Sequence, residues 1–166
     1  AGALGTVLIY LIALKFGNSK IASLITALVM GFGTLVWKYS ASFMREPTYT
    51  TLLLFIIFIL LKIDREKVKK QTSILIYVVG VTCGISVLID YSKFLLILLI
   101  FLYLSLILKR RIVSLWKPFL FGLIPILLII FYYNYAIFKN PFTSPHLHKT
   151  YFTWMRSPSS LFRIPL

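Results

Sequence analysis

Long hydrophobic runs alternate with short polar segments along the chain as far as residue 138. Six runs can be drawn, at about residues 1–16, 21–37, 47–63, 72–89, 92–108 and 116–138. Each is long enough to cross a bilayer as a helix, although the third and fifth are near the lower limit. Because a backbone in lipid must satisfy its own hydrogen bonds, runs without polar alternation favour helices over barrel strands. The pattern predicts an all-α fold, a polytopic transmembrane helix bundle of about six spans.

The composition agrees with this pattern and excludes a water-soluble domain. The chain is 60% hydrophobic and 13% charged, with a mean hydropathy of +0.93. Ordinary soluble domains are about 45–50% apolar and about 25% charged. We predict a transmembrane helical domain at 1–138 and an extracytoplasmic surface tail at 139–166. The chain opens already hydrophobic at Ala1 and ends abruptly, so we expect an internal piece of a longer membrane protein, with further spans beyond the tail.

The basic residues predict the orientation in the membrane. Loops on one side of the predicted bundle hold eleven of them: Lys15, Lys20, Lys62, Arg65, Lys67, Lys69, Lys70, Lys109, Arg110, Arg111 and Lys117. The short loops opposite hold only Lys38, Arg45 and Lys93. Under the positive-inside rule the first group faces the cytoplasm. We therefore predict an integral membrane protein of the cell membrane, with its Lys- and Arg-rich loops cytoplasmic and Glu46 and Asp90 outside.

The formal net charge of +14 raises the question of an anionic partner. Because the basic residues stand in short loops between apolar runs, they are placed to meet lipid head groups. The predicted partners are membrane lipids, and nucleic acid is not among them. Cys83, the only cysteine, lies inside an apolar run and is interpreted as a small packing residue.

Glu46, one of only four acidic residues, stands at the start of the third run between Arg45 and Pro47. In one interpretation it caps that helix, because a carboxylate is stabilised by the positive end of the helix dipole and Pro47 suits the first helical position. In the other, its carboxylate lines an outer cavity where a polar substrate meets the bilayer, since ionisable groups in membrane proteins are often functional. Both interpretations stay open at this point.

Asp90 lies in the short turn between the fourth and fifth runs. It is predicted to be on the same side of the membrane as Glu46. Turn chemistry alone explains an Asp at such a position. The alternative is a shared outer site in which Glu46 and Asp90 act as catalytic carboxylates. Lys38, Arg45 and Lys93 would then bind a lipid phosphate beside a reacting hydroxyl. The sequence does not determine whether these five side chains converge.

The sequence identifies no metal site and none of the common phosphate or hydrolase motifs. His146 and His148 alternate in the tail without a nearby carboxylate or cysteine, whereas a metal site needs more ligands. There is no phosphate-cradling glycine loop, GxSxG elbow or HExxH pair. The cofactor is unknown; a divalent metal is one option, with no identifiable site.

Three segments together resemble a known family. The first is MGFGTLVWKYSASFMREPTYTTLLLFIIFILLK, residues 30–62, in which a glycine-rich helix runs into Tyr-Ser, then an acidic residue and Pro, then another helix. The others are GVTCGISVLIDYSKFLLILL at 80–99 and YYNYAIFKNPF at 132–142. In this order they resemble the membrane core of C-type (GT-C) glycosyltransferases, similar to dolichyl-phosphate-mannose-dependent protein mannosyltransferases and the aminoarabinose transferases.

The resemblance implies inverting transfer of a sugar from a polyprenyl-phosphate donor on the extracytoplasmic side, with a polyprenyl-phosphate-linked sugar as ligand. Glu46 matches the acidic residue that precedes a Pro in the family pattern. Two features depart from that pattern. The first outer loop, which normally supplies the principal catalytic acid, would lie before Ala1. In addition, Ile89, Asp90 and Tyr91 stand where many relatives have Thr-Arg-Pro, and Lys93 is the residue available to replace the arginine.

Two other functions compete with a transferase. A non-catalytic integral-membrane subunit of a larger complex would explain both departures, and the small residues Gly80 and Gly84 would let a neighbouring helix approach closely. A transporter or flippase of lipid-linked glycans is the third hypothesis. It would be supported by broken helices and by ionisable residues in the middle of spans, whereas the charges here cluster at span ends.

Overall fold

The computed structural model describes residues 1–42, 44–63, 70–108 and 112–142, with the backbone alone at 70, 101, 104–108 and 112–115. Several predictions fall outside these ranges. They concern the connector at 64–69, the basic residues at 109–111, and the part of the tail at 143–166 that contains His146 and His148.

Helices make up 87% of the structure, and the described residues contain no strand. The predicted all-α class is therefore confirmed. The described ranges contain seven α-helices, in chain order α1 (Gly2–Lys15), α2 (Lys20–Phe32), α3 (Leu35–Ala41), α4 (Glu46–Lys62), α5 (Lys70–Ile89), α6 (Phe94–Leu108) and α7 (Ile112–Phe138). A single 3-10 turn, Tyr91–Lys93, joins α5 to α6.

The lengths of the helices identify two or three candidate membrane spans in the described part of the chain. Gln71–Ile89 and Trp116–Phe138 are long and apolar enough to cross a bilayer. The pair α2 and α3 becomes a third if the two helices count as one bent span. With 17 and 15 residues, α4 and α6 fall short of the roughly 20 residues that a straight span needs. Membrane localisation is consistent with these helices, whereas the count of six spans stays a prediction.

The second predicted segment, 21–37, is not one continuous helix. The chain bends by 51° between α2 and α3 and remains helical to Ala41. Gly33 ends α2, its N–H donating to the carbonyl of Val29 at 2.8 Å. The Thr34 hydroxyl donates to the carbonyl of Met30 at 2.6 Å and accepts from the N–H of Val36 at 3.2 Å, which starts α3. Gly33 is disfavoured in helices, and the hydroxyl of Thr34 competes for backbone hydrogen-bonding groups. Together these two residues explain the break.

A buried hydrophobic cluster lies among α4, α5, α6 and α7. Its fully buried members include Ile56, Ile76, Val79 and Cys83, with Phe119 and Leu123 packed on them. Cys83 has no exposed surface and fills this core, in agreement with its interpretation as a packing residue.

Glycines bring α5 and α7 into backbone contact inside this core. A Cβ on Gly80 would collide with the carbonyl oxygen of Phe119, and a Cβ on Gly122 would collide with that of Tyr77. Gly84, one turn after Gly80, faces the side chain of Ile126, whose Cβ would lie 2.9 Å from an added methyl. The predicted small-residue pair therefore packs against another helix of the same chain.

The chain forms two compact units, Ala1–Leu127 and Leu128–Leu166. In the second unit, the segment after α7 folds back on the end of that helix. Lys139 leaves the helix with a positive φ of 56°, the Asn134 amide donates to the carbonyl of Pro141 at 3.3 Å, and the rings of Phe131 and Phe142 lie 5.5 Å apart. The predicted domain boundary at 138–139 remains a prediction.

Candidate functional site

Glu46 is the first residue of α4, and Pro47 is the second. No side chain makes a hydrogen-bonded cap here. Instead the carbonyl of Arg45 accepts from the N–H groups of Thr48 and Tyr49 at 3.1 and 3.2 Å. Glu46 still benefits from the helix dipole in the first turn. Pro47 stands in the first turn of α4, where proline is tolerated because its missing N–H would have no partner within the helix.

Glu46 is one of the residues that line a cavity, and the second interpretation stays a prediction. The Oε2 atom is buried and has no hydrogen-bond partner among the described residues. The cavity holds about 370 Å³, and its other lining residues are Pro47, Tyr49 and Thr50 of α4, and Thr34, Leu35, Val36 and Tyr39 around the start of α3. Leaving a buried polar oxygen unpaired is costly, so a hydrogen-bond donor that reaches Oε2 would be stabilised.

Asp90 organises the turn between α5 and α6. Its Oδ1 accepts from the N–H of Ser92 at 3.0 Å, and its carbonyl accepts from the N–H of Lys93 at 3.0 Å. The hydrogen bond from the Ser92 backbone lowers the pKa of the Asp90 carboxyl, aided by the Ser92 hydroxyl and by the charges of Arg45 and Lys93, while partial desolvation opposes them. Turn chemistry thus accounts for Oδ1, and Oδ2 is left for other partners.

Asp90 Oδ2 has two cations beside it. The Nη2 atom of Arg45 and the Nζ atom of Lys93 each lie 4.0 Å from it. The Lys93 Nζ also stands 4.0 Å from the ring centroid of Tyr49. We call Arg45, Tyr49, Asp90 and Lys93 the Asp90 cluster. The Arg45 side chain is 54% exposed, so solvent weakens its ion pair with Asp90. The Lys93 side chain is only 24% exposed, so its ion pair with Asp90 is weakened less.

Four of the five predicted site residues therefore lie in one region. Arg45, Asp90 and Lys93 meet directly, and Glu46 follows Arg45 in the chain. Lys38 is different: it lies on α3 with an exposed side chain, and no ion pair of the described residues includes it. Its assignment to a lipid phosphate gains no support from a contact.

Sequence reasoning missed Tyr49. It belongs both to the Asp90 cluster and to the lining of the Glu46 cavity, and so joins the two. One signal was available, because residues three apart in a helix share a face and Tyr49 is three residues after Glu46.

A second cavity, of about 400 Å³, lies between α1 and the bent pair α2 and α3. It is mainly apolar, with Phe32, Val36 and Trp37 on one side and Gly2 and Ala3 on the other. Val36 also lines the Glu46 cavity, so the two cavities share a wall.

In the described ranges, no three residues of His, Cys, Asp or Glu stand close enough together to hold a metal ion. The described residues therefore offer no candidate ligand set for the divalent metal that the sequence analysis left as an option.

Comparison with known proteins gives no match to a family model, a curated protein or a solved structure. The resemblance to C-type glycosyltransferases thus stays a prediction from the three segments quoted above.

Removing the Asp90 carboxylate should destabilise the turn in a pH-dependent way. Because its pKa is lowered in the folded state, Asp90 contributes stability above its unfolded pKa, and loses it as the pH falls through the folded value. We expect Asp90→Ala to lower the free energy of unfolding by about 1 kcal/mol at pH 7, and by less near pH 3. Asp90→Asn, which can still accept from Ser92, should lose less. Thermal unfolding in micelles at both pH values measures this, and a pH-independent loss would contradict it.

Proposed function

We propose that this protein is a membrane glycosyltransferase that moves a sugar from a polyprenyl-phosphate donor to an acceptor on the extracytoplasmic side. One observation carries the proposal: Glu46, with a buried and unpaired carboxylate oxygen, lines a cavity together with Tyr49, whose ring carries the Lys93 ammonium, and Arg45 precedes Glu46 in the chain. A base next to cations is what displacement of a phosphate by a hydroxyl requires.

In this proposal Glu46 acts as the general base. The acceptor oxygen bonds to the anomeric carbon while the bond from that carbon to the phosphate oxygen breaks. The electron pair leaves with the phosphate, and the acceptor proton passes to the Glu46 carboxylate. Arg45 and Lys93 stabilise the negative charge of the departing lipid phosphate.

Asp90 was predicted as a second catalytic carboxylate. Its Oδ1 is already engaged by Ser92 and its Oδ2 faces both cations, so it has no oxygen free for an acceptor proton. The geometry supports Asp90 better as a positioning residue that holds Arg45 and Lys93 near the Glu46 cavity. Lys38, being exposed on α3, would meet the phosphate only at the edge of such a site.

The apolar cavity suits a lipid-linked donor. It shares Val36 with the Glu46 cavity, so a hydrocarbon chain in the first would bring its phosphate end towards the second. The polytopic arrangement of six spans and the cell membrane as location belong to this proposal.

The sidedness that this chemistry needs can be measured by cysteine labelling in intact cells. Cys83 is fully buried and should not compete for a membrane-impermeant maleimide. We expect Thr48→Cys, at the exposed start of α4, to react in intact cells, and Lys67→Cys to react only after permeabilisation. The reverse pattern would turn the Glu46 cavity towards the cytoplasm and overturn the proposed orientation.

The activity itself is tested with the natural full-length protein in proteoliposomes. We expect label from a polyprenyl-phosphate-linked sugar to appear on an acceptor, with release of free polyprenyl phosphate. Absence of transfer with every donor class would favour the alternative of a non-catalytic subunit.

The break between α2 and α3 supports a second candidate function, because discontinuous helices also occur in transporters and flippases. No described ionisable residue lies at the break itself, residues 33 and 34. A flippase would move labelled lipid-linked glycan across the bilayer without transfer, which the same proteoliposomes would reveal.

A further inference from the structure

The side chain of Lys93 is held from two directions. Its ammonium lies 4.0 Å from Asp90 Oδ2 and 4.0 Å from the centre of the Tyr49 ring. A lysine side chain has four rotatable carbons and otherwise samples many rotamers. Two attractive partners on different elements, the turn and α4, therefore give the ammonium a defined position at the start of α4.

The face of the Tyr49 ring, and not its hydroxyl, makes this contact. A cation over an aromatic face is attracted by the ring quadrupole, and Phe and Tyr both provide such a face. No hydrogen bond of the described residues uses the Tyr49 hydroxyl. A tyrosine that served only as a membrane-boundary residue would depend on its hydroxyl and would need no cation over its ring.

We propose that Tyr49 is a positioning residue, whose ring holds the Lys93 ammonium beside the Glu46 cavity so that it meets the anionic group of a ligand bound there. The choice of an anionic lipid as ligand rests on the proposed function, but the Tyr49–Lys93 contact does not. Tyr49 is suited to the role because it lines the cavity three residues after Glu46 on the same helix.

The contact between Lys93 and the Tyr49 ring is tested first, by an NMR measurement that needs no ligand. In nanodiscs, the ε-methylene protons of ¹³C-labelled Lys93, assigned with Lys93→Arg, should be shifted upfield by the ring current. Tyr49→Phe should keep this shift and Tyr49→Leu should abolish it. Tyr39→Leu is the matched control, because Tyr39 lines the same cavity and no described cation stands over its ring. A shift that survives in Tyr49→Leu overturns the proposal.

The effect of this contact on ligand binding is tested by measuring the affinity for polyprenyl phosphate that carries no sugar. We expect Tyr49→Phe to bind within about twofold of the wild type and Tyr49→Leu to bind about 5- to 30-fold more weakly. In a double-mutant cycle, Tyr49→Leu should cost nothing further once Lys93→Met is present. Equal losses in the Phe and Leu variants, or additive losses in the cycle, overturn the positioning role.

The two proposals fail in different ways. If the wild type binds no polyprenyl phosphate while the ring-current pattern holds, the proposed function is overturned and the positioning of Lys93 by Tyr49 stands. If the lipid binds and Tyr49→Leu, folded as judged by its unfolding transition, binds like the wild type, the role of Tyr49 is overturned and the proposed function stands.

Discussion

Glu46→Gln should lower the rate of sugar transfer by about 10²- to 10⁴-fold, the range that general-base catalysis commonly supplies. The substitution keeps the size of the side chain and the shape of the cavity, but an amide cannot take the acceptor proton. Because Oε2 has no protein partner in the described residues, the change breaks no described hydrogen bond and should leave the fold intact. The measurement is turnover in proteoliposomes under saturating donor.

Two variants sharpen this result. Glu66→Gln makes the same chemical change in the predicted cytoplasmic connector and should leave turnover within about twofold of the wild type, since a surface charge is normally near-neutral. Glu46→Asp keeps the charge but withdraws it from the cavity, so an intermediate loss is expected. Unchanged turnover in Glu46→Gln would dismiss Glu46 as the base, and with it the observation on which the proposed function depends.

Gly80→Ala and Gly122→Ala should each destabilise the helix bundle by about 2–4 kcal/mol, the upper part of the range for overpacked cores. In both cases the added methyl meets a backbone carbonyl of the partner helix, Phe119 in α7 and Tyr77 in α5, and a backbone cannot move aside without separating the helices. Unfolding in mixed micelles with increasing SDS measures the loss.

The other glycines provide the controls for this prediction. Gly84→Ala meets the Ile126 side chain, which can change rotamer, so a loss of about 1 kcal/mol is expected. Gly17→Ala has nothing within 4 Å but a positive φ of 85°, and should cost about 1 kcal/mol through backbone strain alone. Equal effects at all four positions would show that lost glycine flexibility, and not backbone contact between α5 and α7, determines the stability.

Most of the helices could be predicted because hydrophobic runs are local. The predicted segment 47–63 is matched by α4, and 72–89 is matched by α5, with ends that differ by a few residues. The turn at Asp90 was also predictable, since an Asp side chain reaches the N–H two residues later without help from the rest of the fold. The break at Gly33 and Thr34 was missed because hydropathy averages over both residues, although their individual chemistry favours a helix end.

For the candidate site too, local sequence determined some features and the tertiary structure determined the others. Composition and the position of charges between apolar runs already determined an all-helical chain with its scarce carboxylates at helix ends, because apolarity and turn chemistry act over a few residues. Only the tertiary structure placed Arg45 and Tyr49 of one segment against Asp90 and Lys93 of another, left Lys38 apart, and put Glu46 in the lining of a cavity. Those contacts depend on how α4 packs against α5 and its following turn, and a hydrophobic pattern that is uniform around each helix does not specify which faces meet.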